Sequence, residues 1–226
     1  MIYKNIKKAI FIDRPNRFIA HVDMDGEIKV VHVKNTGRCK ELLLPGSHVF
    51  VEEVNSSTRK TKYDLISVYK GDKLINMDSQ APNKVFGEWV KEGMFLPNIT
   101  KIRPETKYGE SRLDFYLETE TQKIFVEVKG VTLEENGIVR FPDAPTIRGV
   151  KHLEELCAAK KEGYESYVVF VVQMSPVIRF EPNDKTHLNF GNALRHAQKE
   201  GVHILVLDCI VTPDSLCIRK PVDIKL

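Results

Sequence analysis

Two kinds of hydrophobic pattern divide the chain near residue 78. Before that point, short apolar runs predict strands at 18–22, 27–33, 48–54, 63–69 and 74–76. Asp25-Gly26 turns the first pair into a hairpin, and Pro45-Gly46 and Gly71-Asp72 mark later turns. Five short strands in so small a segment predict a closed barrel, for which an OB-like arrangement is a common solution. From Ser79 the period lengthens. Ser79 is placed to cap a helix whose apolar face is Val85, Phe86, Trp89 and Val90, and Gly93 ends it. Strands follow at 102–107, 113–117 and 123–133, and Asn136-Gly137 turns the chain into 138–141. A second helix is expected after Asp143, with Pro145 in its first turn and Val150, Leu153, Leu156 and Cys157 buried, up to Gly163. A strand at 167–173, a helix at 190–199 and a strand at 203–210 complete the order α-β-β-β-α-β-α-β. The fold class expected is thus an all-β domain over 1–78 followed by an α/β domain over 79–226, with a mixed sheet flanked by helices.

Composition narrows the function classes. With 42% hydrophobic and 29% charged residues, the chain can bury a substantial core. The lysine-rich first eleven residues lack the apolar run of a secretion signal, and no apolar stretch is long enough to span a bilayer. Cys39, Cys157, Cys209 and Cys217 form no C-x-x-C pair, so neither a zinc site nor a disulfide framework is indicated and a cytoplasmic setting is expected. The net charge of +3 is unevenly spread. Residues 1–78 hold 14 Lys+Arg against 10 Asp+Glu, and residues 79–226 hold 20 against 21. The positive surplus sits in the expected barrel, a footprint suited to nucleic acid.

Candidate chemistry concentrates in one strand. In Ile124-Phe-Val-Glu-Val-Lys129 the apolar residues suit a strand buried on both faces, and Glu127 and Lys129, two apart, share one of them. Buried charges are costly unless paired or bound to something. Asp114 interrupts the preceding apolar strand in the same way, and hard carboxylate oxygens suit Mg2+ or Mn2+. Spacing alone is uninformative, since acid-x-Lys also occurs at Glu27, Glu105 and Asp223. A cross-strand Glu–Lys pair is the competing reading.

At this point the chain resembles a known family. Asp114 followed by Glu127-Val-Lys129 is similar to the PD-(D/E)XK nuclease signature. Arg14-Pro-Asn-Arg-Phe18, Asn35-Thr-Gly-Arg38, Ala81-Pro-Asn-Lys84, Tyr108-Gly-Glu-Ser-Arg-Leu-Asp-Phe115 and Phe141-Pro-Asp-Ala-Pro145 resemble the sugar fermentation stimulation protein A family. The resemblance implies an OB-like first domain, a PD-(D/E)XK-like second domain, and DNA binding linked to regulation of sugar metabolism. Carried over by position, Asp114 and Glu127 would hold the divalent ion, and Lys129 would polarise water or stabilise phosphate charge. Glu88 is the candidate helix carboxylate, with an exposed surface glutamate as its alternative. Gln173 is the candidate polar residue at a strand end, with a backbone-capping role as its alternative.

For nucleic acid, DNA more than RNA, the expected contacts are Arg14, Arg17, Arg38, Lys40, Arg59, Lys60 and Lys62 in the barrel, where Tyr63 adds an aromatic beside the last three. Arg148, Lys151 and His152 are expected together on the polar face of the second helix. The leading expectation is a DNA-binding protein of low sequence specificity. An active metal-dependent phosphodiesterase and a regulator using the domain as a scaffold are its rivals.

Overall fold

The computed structural model spans residues 1–226 and describes all of them except Thr36, Arg38 and 56–58. Strands β1 (Ile6–Asn16), β2 (Ile19–Met24), β3 (Glu27–Val33), β4 (His48–Glu53), β5 (Tyr63–Lys70) and β6 (Lys73–Asn76) form the N-terminal sheet. Their order is β3-β2-β1-β4-β5-β6, and parallel pairing of β3 with β5 closes the first five into an OB-like barrel. Alternation explains the inner face: Ala20, Val22 and Met24 of β2 are buried while the residues between them are partly exposed. Asp25 and Gly26 both take positive φ, as the hairpin turn requires. Strand β1 escaped the sequence pattern because register shifts near Asp13 and Asn16 break its alternation, and lysines hide Ala9 and Phe11, which are buried.

The second half comprises α1 (Ala81–Lys91), β7 (Lys101–Tyr108), β8 (Ser111–Glu118), β9 (Lys123–Val131), β10 (Leu133–Glu135), β11 (Ile138–Phe141) and α2 (Ile147–Lys161). It continues with β12 (Glu165–Val172), β13 (Arg179–Pro182), α3 (Asp184–Lys199), β14 (His203–Thr212), β15 (Ser215–Pro221) and β16 (Asp223–Ile224). The central sheet runs β15-β14-β12-β9-β8-β7, with β9, β12 and β14 parallel and the outer pairings antiparallel. Val85, Phe86 and Val90 of α1 pack on Ile124, Val126 and Val128 on one face. Leu153 and Leu156 of α2 and Leu194 of α3 pack with Phe125, Val168 and Phe170 on the other. That second core continues without a break into the barrel interior through residues such as Val22 and Leu65. Among the described residues no helix is long and apolar enough to cross a membrane.

Several local expectations are corrected. Helix α1 is capped at Gln80 without a side-chain bond, because the Ser79 hydroxyl donates instead to the Lys34 carbonyl of the barrel. Helix α2 begins at Ile147, where Thr146 accepts from the Gly149 N–H at 3.0 Å. The α3 span comprises a short turn at Asp184 and, beyond non-helical backbone at His187, the helix that carries the expected apolar stripe; Asp184 pairs with Arg195 at 2.5 Å. A small sheet, β10-β11-β13-β16, was largely unforeseen because its strands are two to four residues long. Residues 1–3 were expected with the barrel but lie along β15. Tyr3 N–H donates to the Asp214 carbonyl at 2.7 Å, and Leu216 N–H to the Met1 carbonyl at 3.0 Å.

Candidate active site

The site forms where β8 and β9 part. Their ladder runs from Glu118↔Lys123 to Phe115↔Val126 and ends there. The next β9 donor, Val128 N–H, goes to Asp114 Oδ2 at 2.7 Å, so a side chain takes the place of a backbone acceptor. Asp114 Oδ1 accepts from Asn83 Nδ2 of α1 at 2.7 Å, which ties helix, strand and carboxylate together. Strand β9 meanwhile continues pairing with β12 as far as Val131↔Val172, so Glu127 stays on a rigid central strand.

Glu127 is 3% exposed, and its two oxygens are treated unequally. Oε1 accepts from Lys129 Nζ and from His152 Nδ1 of α2. Oε2 is buried and has no hydrogen-bond partner among the described residues. Arg148 Nε donates to His152 Nε2 at 3.2 Å, so this ring nitrogen accepts and the proton belongs on Nδ1, facing Glu127. Arg148, His152 and Glu127 therefore form a line of directed hydrogen bonds that holds the carboxylate in one orientation. Leaving a buried carboxylate oxygen unsatisfied costs about 1–3 kcal/mol or more, so its presence inside an otherwise well-bonded site calls for a reason.

The charges are skewed in the same direction. Burial and the Glu127 charge push the Asp114 carboxyl up to about 6, against the hydrogen bonds from Val128 and Asn83. Burial also acts to raise Glu127, but the His152 hydrogen bond and the Lys129 ammonium outweigh it and hold the carboxyl below its ordinary value. One carboxylate is thus satisfied by cations on one side, whereas its neighbour feels the charge of Lys129 but has no ion pair among the described residues.

A cavity of about 260 Å³ opens onto these groups, and its wall includes Asn83, Asp114, Glu127, Lys129, Arg148 and His152. The donors suit a hard divalent ion: two carboxylates on different strands, one with an unused buried oxygen. Among the described residues no three or more His, Cys, Asp or Glu side chains are grouped as a metal cage. An ion here would complete its shell with backbone oxygen and water, as Mg2+ commonly does.

Asp114, Glu127, Lys129 and Arg148 are the expected residues that line this cavity. Glu88 does not line it: it is exposed, borders an adjoining hollow and pairs with the N-terminal ammonium at 2.6 Å. Gln173 is buried at the end of β12, donating from Nε2 to Asn76 Oδ1 at 2.8 Å and to the Asp78 carbonyl at 3.0 Å. It clamps the sheet to the barrel–helix connection and lines the neighbouring cavity. Lys151 is paired to Glu110 at 3.1 Å on the surface. His152 corrects the expected polar face of α2: it is 2% exposed and points into the sheet, since the helix turns it toward Glu127.

In the barrel, Arg59 pairs with buried Asp64, Lys62 with Glu53 at 2.6 Å, and Lys60 is exposed. The Arg14 guanidinium donates to the carbonyls of Gly37, Asn35 and Arg17 at 3.0, 2.6 and 2.7 Å. Arg17 and Lys40 are exposed and line one hollow. Arg38 lies outside the described residues. Sequence reasoning passed over Asn83 and the buried role of His152. The available signals were Asn83's place in Ala81-Pro-Asn-Lys84 and the four-residue spacing of Arg148 and His152.

Comparison with known proteins supplies the family. Residues 12–77 match the model described as the SfsA N-terminal OB domain, and residues 80–215 match the sugar fermentation stimulation protein RE domain. A sugar fermentation stimulation protein homolog of Clostridium beijerinckii is 58% identical over 226 residues, covering 100% of both chains. One from Ruminiclostridium cellulolyticum is 55% identical over the same span, again covering 100% of both. The structure of Pyrococcus furiosus SfsA in complex with Ca2+ superposes with a TM-score of 0.90 at 27% identity, covering 100% of this chain and 98% of that one. On these matches, with an OB-like barrel joined to a mixed sheet flanked by helices, the chain belongs to the sugar fermentation stimulation protein family.

Proposed function

We propose that the protein binds DNA without strong sequence preference and hydrolyses phosphodiester bonds with a divalent cation, Mg2+ or Mn2+, held by Asp114 and Glu127. The observation that carries this reading is the buried Glu127 Oε2, left without a partner among the described residues while Lys129 and His152 both engage Oε1. A hydrogen-bonded structural pair would use both oxygens. The Ca2+ bound by the Pyrococcus relative supports a hard cation in this family. The surplus of positive charge in the first 78 residues and the OB-like barrel support a nucleic-acid partner.

A bound divalent ion would supply Lewis-acid polarisation of a phosphoryl oxygen. The remaining work falls to the chain. Lys129, fixed beside Glu127 on the same strand face, places an ammonium where it can hold a water molecule and offset charge developing on the phosphate. Arg148 sits at the cavity wall and orients His152, which in turn fixes Glu127. Asn83 does the same for Asp114.

End-labelled DNA and RNA, single-stranded and duplex, incubated with Mg2+, Mn2+ or chelator provide the test. Cleavage is expected only with an ion present. Lys129→Ala should abolish turnover and leave binding nearly intact, because its charge acts chiefly in the transition state. Binding without cleavage across all substrates and both ions would overturn the hydrolase reading and leave the second domain as a scaffold.

A further inference from the structure

Helix α2 meets the site cavity with the positive end of its dipole uncovered. Thr146, Arg148, Gly149 and His152 line that cavity, so the first turn of the helix forms one of its walls. Thr146 caps the turn by accepting from the Gly149 N–H at 3.0 Å, while the N–H groups of Ile147 and Arg148 have no acceptor among the described residues. These groups carry the helix pole, which acidic side chains in the first turn commonly offset. The first turn of α2 holds no acid. A capping box would place Glu at the third helical position, yet residue 149 is glycine. A Cβ there would stand 2.8 Å from Thr146 Cγ2 and 3.2 Å from Phe190 Cδ2. The second position carries Arg148, a cation at the end of a helix where cations are disfavoured. Its Nε is committed to His152 Nε2 at 3.2 Å, and its guanidinium forms no ion pair among the described residues.

Resting on the phosphodiester reading above, we propose that the Ile147 and Arg148 N–H groups and the Arg148 guanidinium form a phosphate-binding subsite whose occupancy is coupled to that of the divalent cation. The same cavity holds an independent sign of a ligand. Glu127 lines it, is 3% exposed, and its Oε2 has no partner among the described residues. That oxygen calls for a cation, and the turn of α2 calls for an anion. A phosphate group and a hard divalent cation together satisfy both. The guanidinium fork and two successive N–H groups also offer more donors than the two oxygens of a carboxylate can use, whereas a phosphate can accept from both. The coupling has an electrostatic cause. With neither ligand bound, Asp114 and Glu127 oppose a phosphate, and Lys129 and Arg148 oppose a cation. Each ligand offsets the charge that repels the other. A mechanical cause acts alongside, because Arg148 Nε, the His152 ring and Glu127 Oε1 form one chain of hydrogen bonds. Fixing the guanidinium on a phosphate therefore also fixes the carboxylate.

Calorimetric titration with Ca2+, in place of a catalytic ion, tests the coupling without nucleotide and with saturating thymidine monophosphate or the diester dinucleotide TpT. Nucleotide should tighten Ca2+ binding at least about fivefold, and Ca2+ should tighten nucleotide binding by the same factor, as linkage requires. Coupling in either arm supports the subsite, and the arm that shows it tells a strand-end phosphate from a backbone one. Ile147→Glu separates a ligand subsite from a merely structural turn. Ile147 is 84% exposed and does not line the cavity, so a carboxylate there offsets the helix pole from within the chain. The thermal midpoint should hold or rise and Ca2+ binding alone should stay the same, while nucleotide affinity falls by up to about fivefold. Ile147→Gln should bind nucleotide as the original protein does. Arg148→Gln should lose the coupling, and Arg148→Lys, which keeps the charge without the fork, should restore only part of it. Equal Ca2+ affinity with and without both nucleotides overturns the subsite, as does nucleotide affinity unmoved by Ile147→Glu and Arg148→Gln. Coupling without cleavage of any substrate removes the hydrolase reading alone, whereas cleavage without coupling removes the subsite alone.

Discussion

Two buried acidic clusters in this molecule make opposite use of their charges. At the barrel's exit, Asp64 accepts from Arg59 through both oxygens, meets His32 Nδ1 at 3.3 Å and has Lys34 at 3.6 Å. Asp78 takes Lys34 at 2.7 Å, Gln80 N–H at 2.9 Å and the Tyr3 hydroxyl at 3.4 Å. Both of its carboxylates are supplied with donors on each oxygen. At the cleft, among the described residues, Asp114 has only two neutral donors, and Glu127 has a buried oxygen with none. The pKa directions follow. Burial raises Asp64, yet the Arg59 hydrogen bond and the charges of Lys34 and Arg59 outweigh it and hold the carboxyl below its ordinary value, whereas Asp114 is pushed up. The first cluster is complete as folded and joins the two domains. The second leaves a buried carboxylate oxygen without a donor among the described residues, and the proposed cation site rests on that difference.

The contrast can be broken most severely at Asp64. Asp64→Ala strands Arg59 without its anion, while Lys34 keeps Asp78, and chemical denaturation should show a loss of about 3 kcal/mol, at the lower end of the cost of breaking a buried pair because Arg59 is partly solvated. Next in size is the ion response. Mg2+ at a hundredfold excess over its dissociation constant should stabilise the original protein by about 2.7 kcal/mol. Glu127→Gln should erase most of that shift, and Asp64→Asn should retain it. Thermal melts with and without Mg2+ would sink the comparison if both variants kept the response or if the original protein showed none.

Smaller effects sharpen it further. Asn83→Ala removes one donor from Asp114 and should cost about 1 kcal/mol, with weaker Mg2+ binding by calorimetry as the distinguishing sign. The acid profile gives a signed check on Asp64. Its folded pKa is depressed, so its contribution is complete above the ordinary aspartate value of 3.8 and drains away as pH falls through the lower folded value. The original protein should lose stability more steeply in that acid range than Asp64→Asn does. The smallest effect is expected at Lys62→Ala, where neither melting nor the DNA salt slope should change measurably, because this exposed lysine is already paired with Glu53.

How much was legible in sequence follows from the range of each signal. The Asp25-Gly26 hairpin, the apolar face of α1 and the doubly buried β9 were readable because each depends on residues adjacent or one turn apart. Strand β1 was not, because its bulges erase the period, and β16 was not, because two exposed residues carry no pattern. Glu127 and Lys129 could be assigned to one strand face from their spacing. That His152 would meet them from α2, or that Arg59 would turn inward to Asp64, depends on how a helix and a loop dock, which no local periodicity encodes.

The sequence by itself determined the two-part organisation, the family and the acid-acid-lysine set, since these reside in hydrophobic period, turn chemistry and motif. Only the tertiary structure decided which charges are spent and which remain available. Asp64, Asp114 and Glu127 look alike along the chain, each a carboxylate set in an apolar strand. Their difference lies in what folding brings within a few ångströms: an arginine and a lysine around the first, two neutral amides at the second, and at the third a lysine and a histidine that satisfy one oxygen and leave the other buried without a partner among the described residues. Coulomb interactions and desolvation act through space at that range, so the residue types are written in sequence but the electrostatic balance of the site is set by packing.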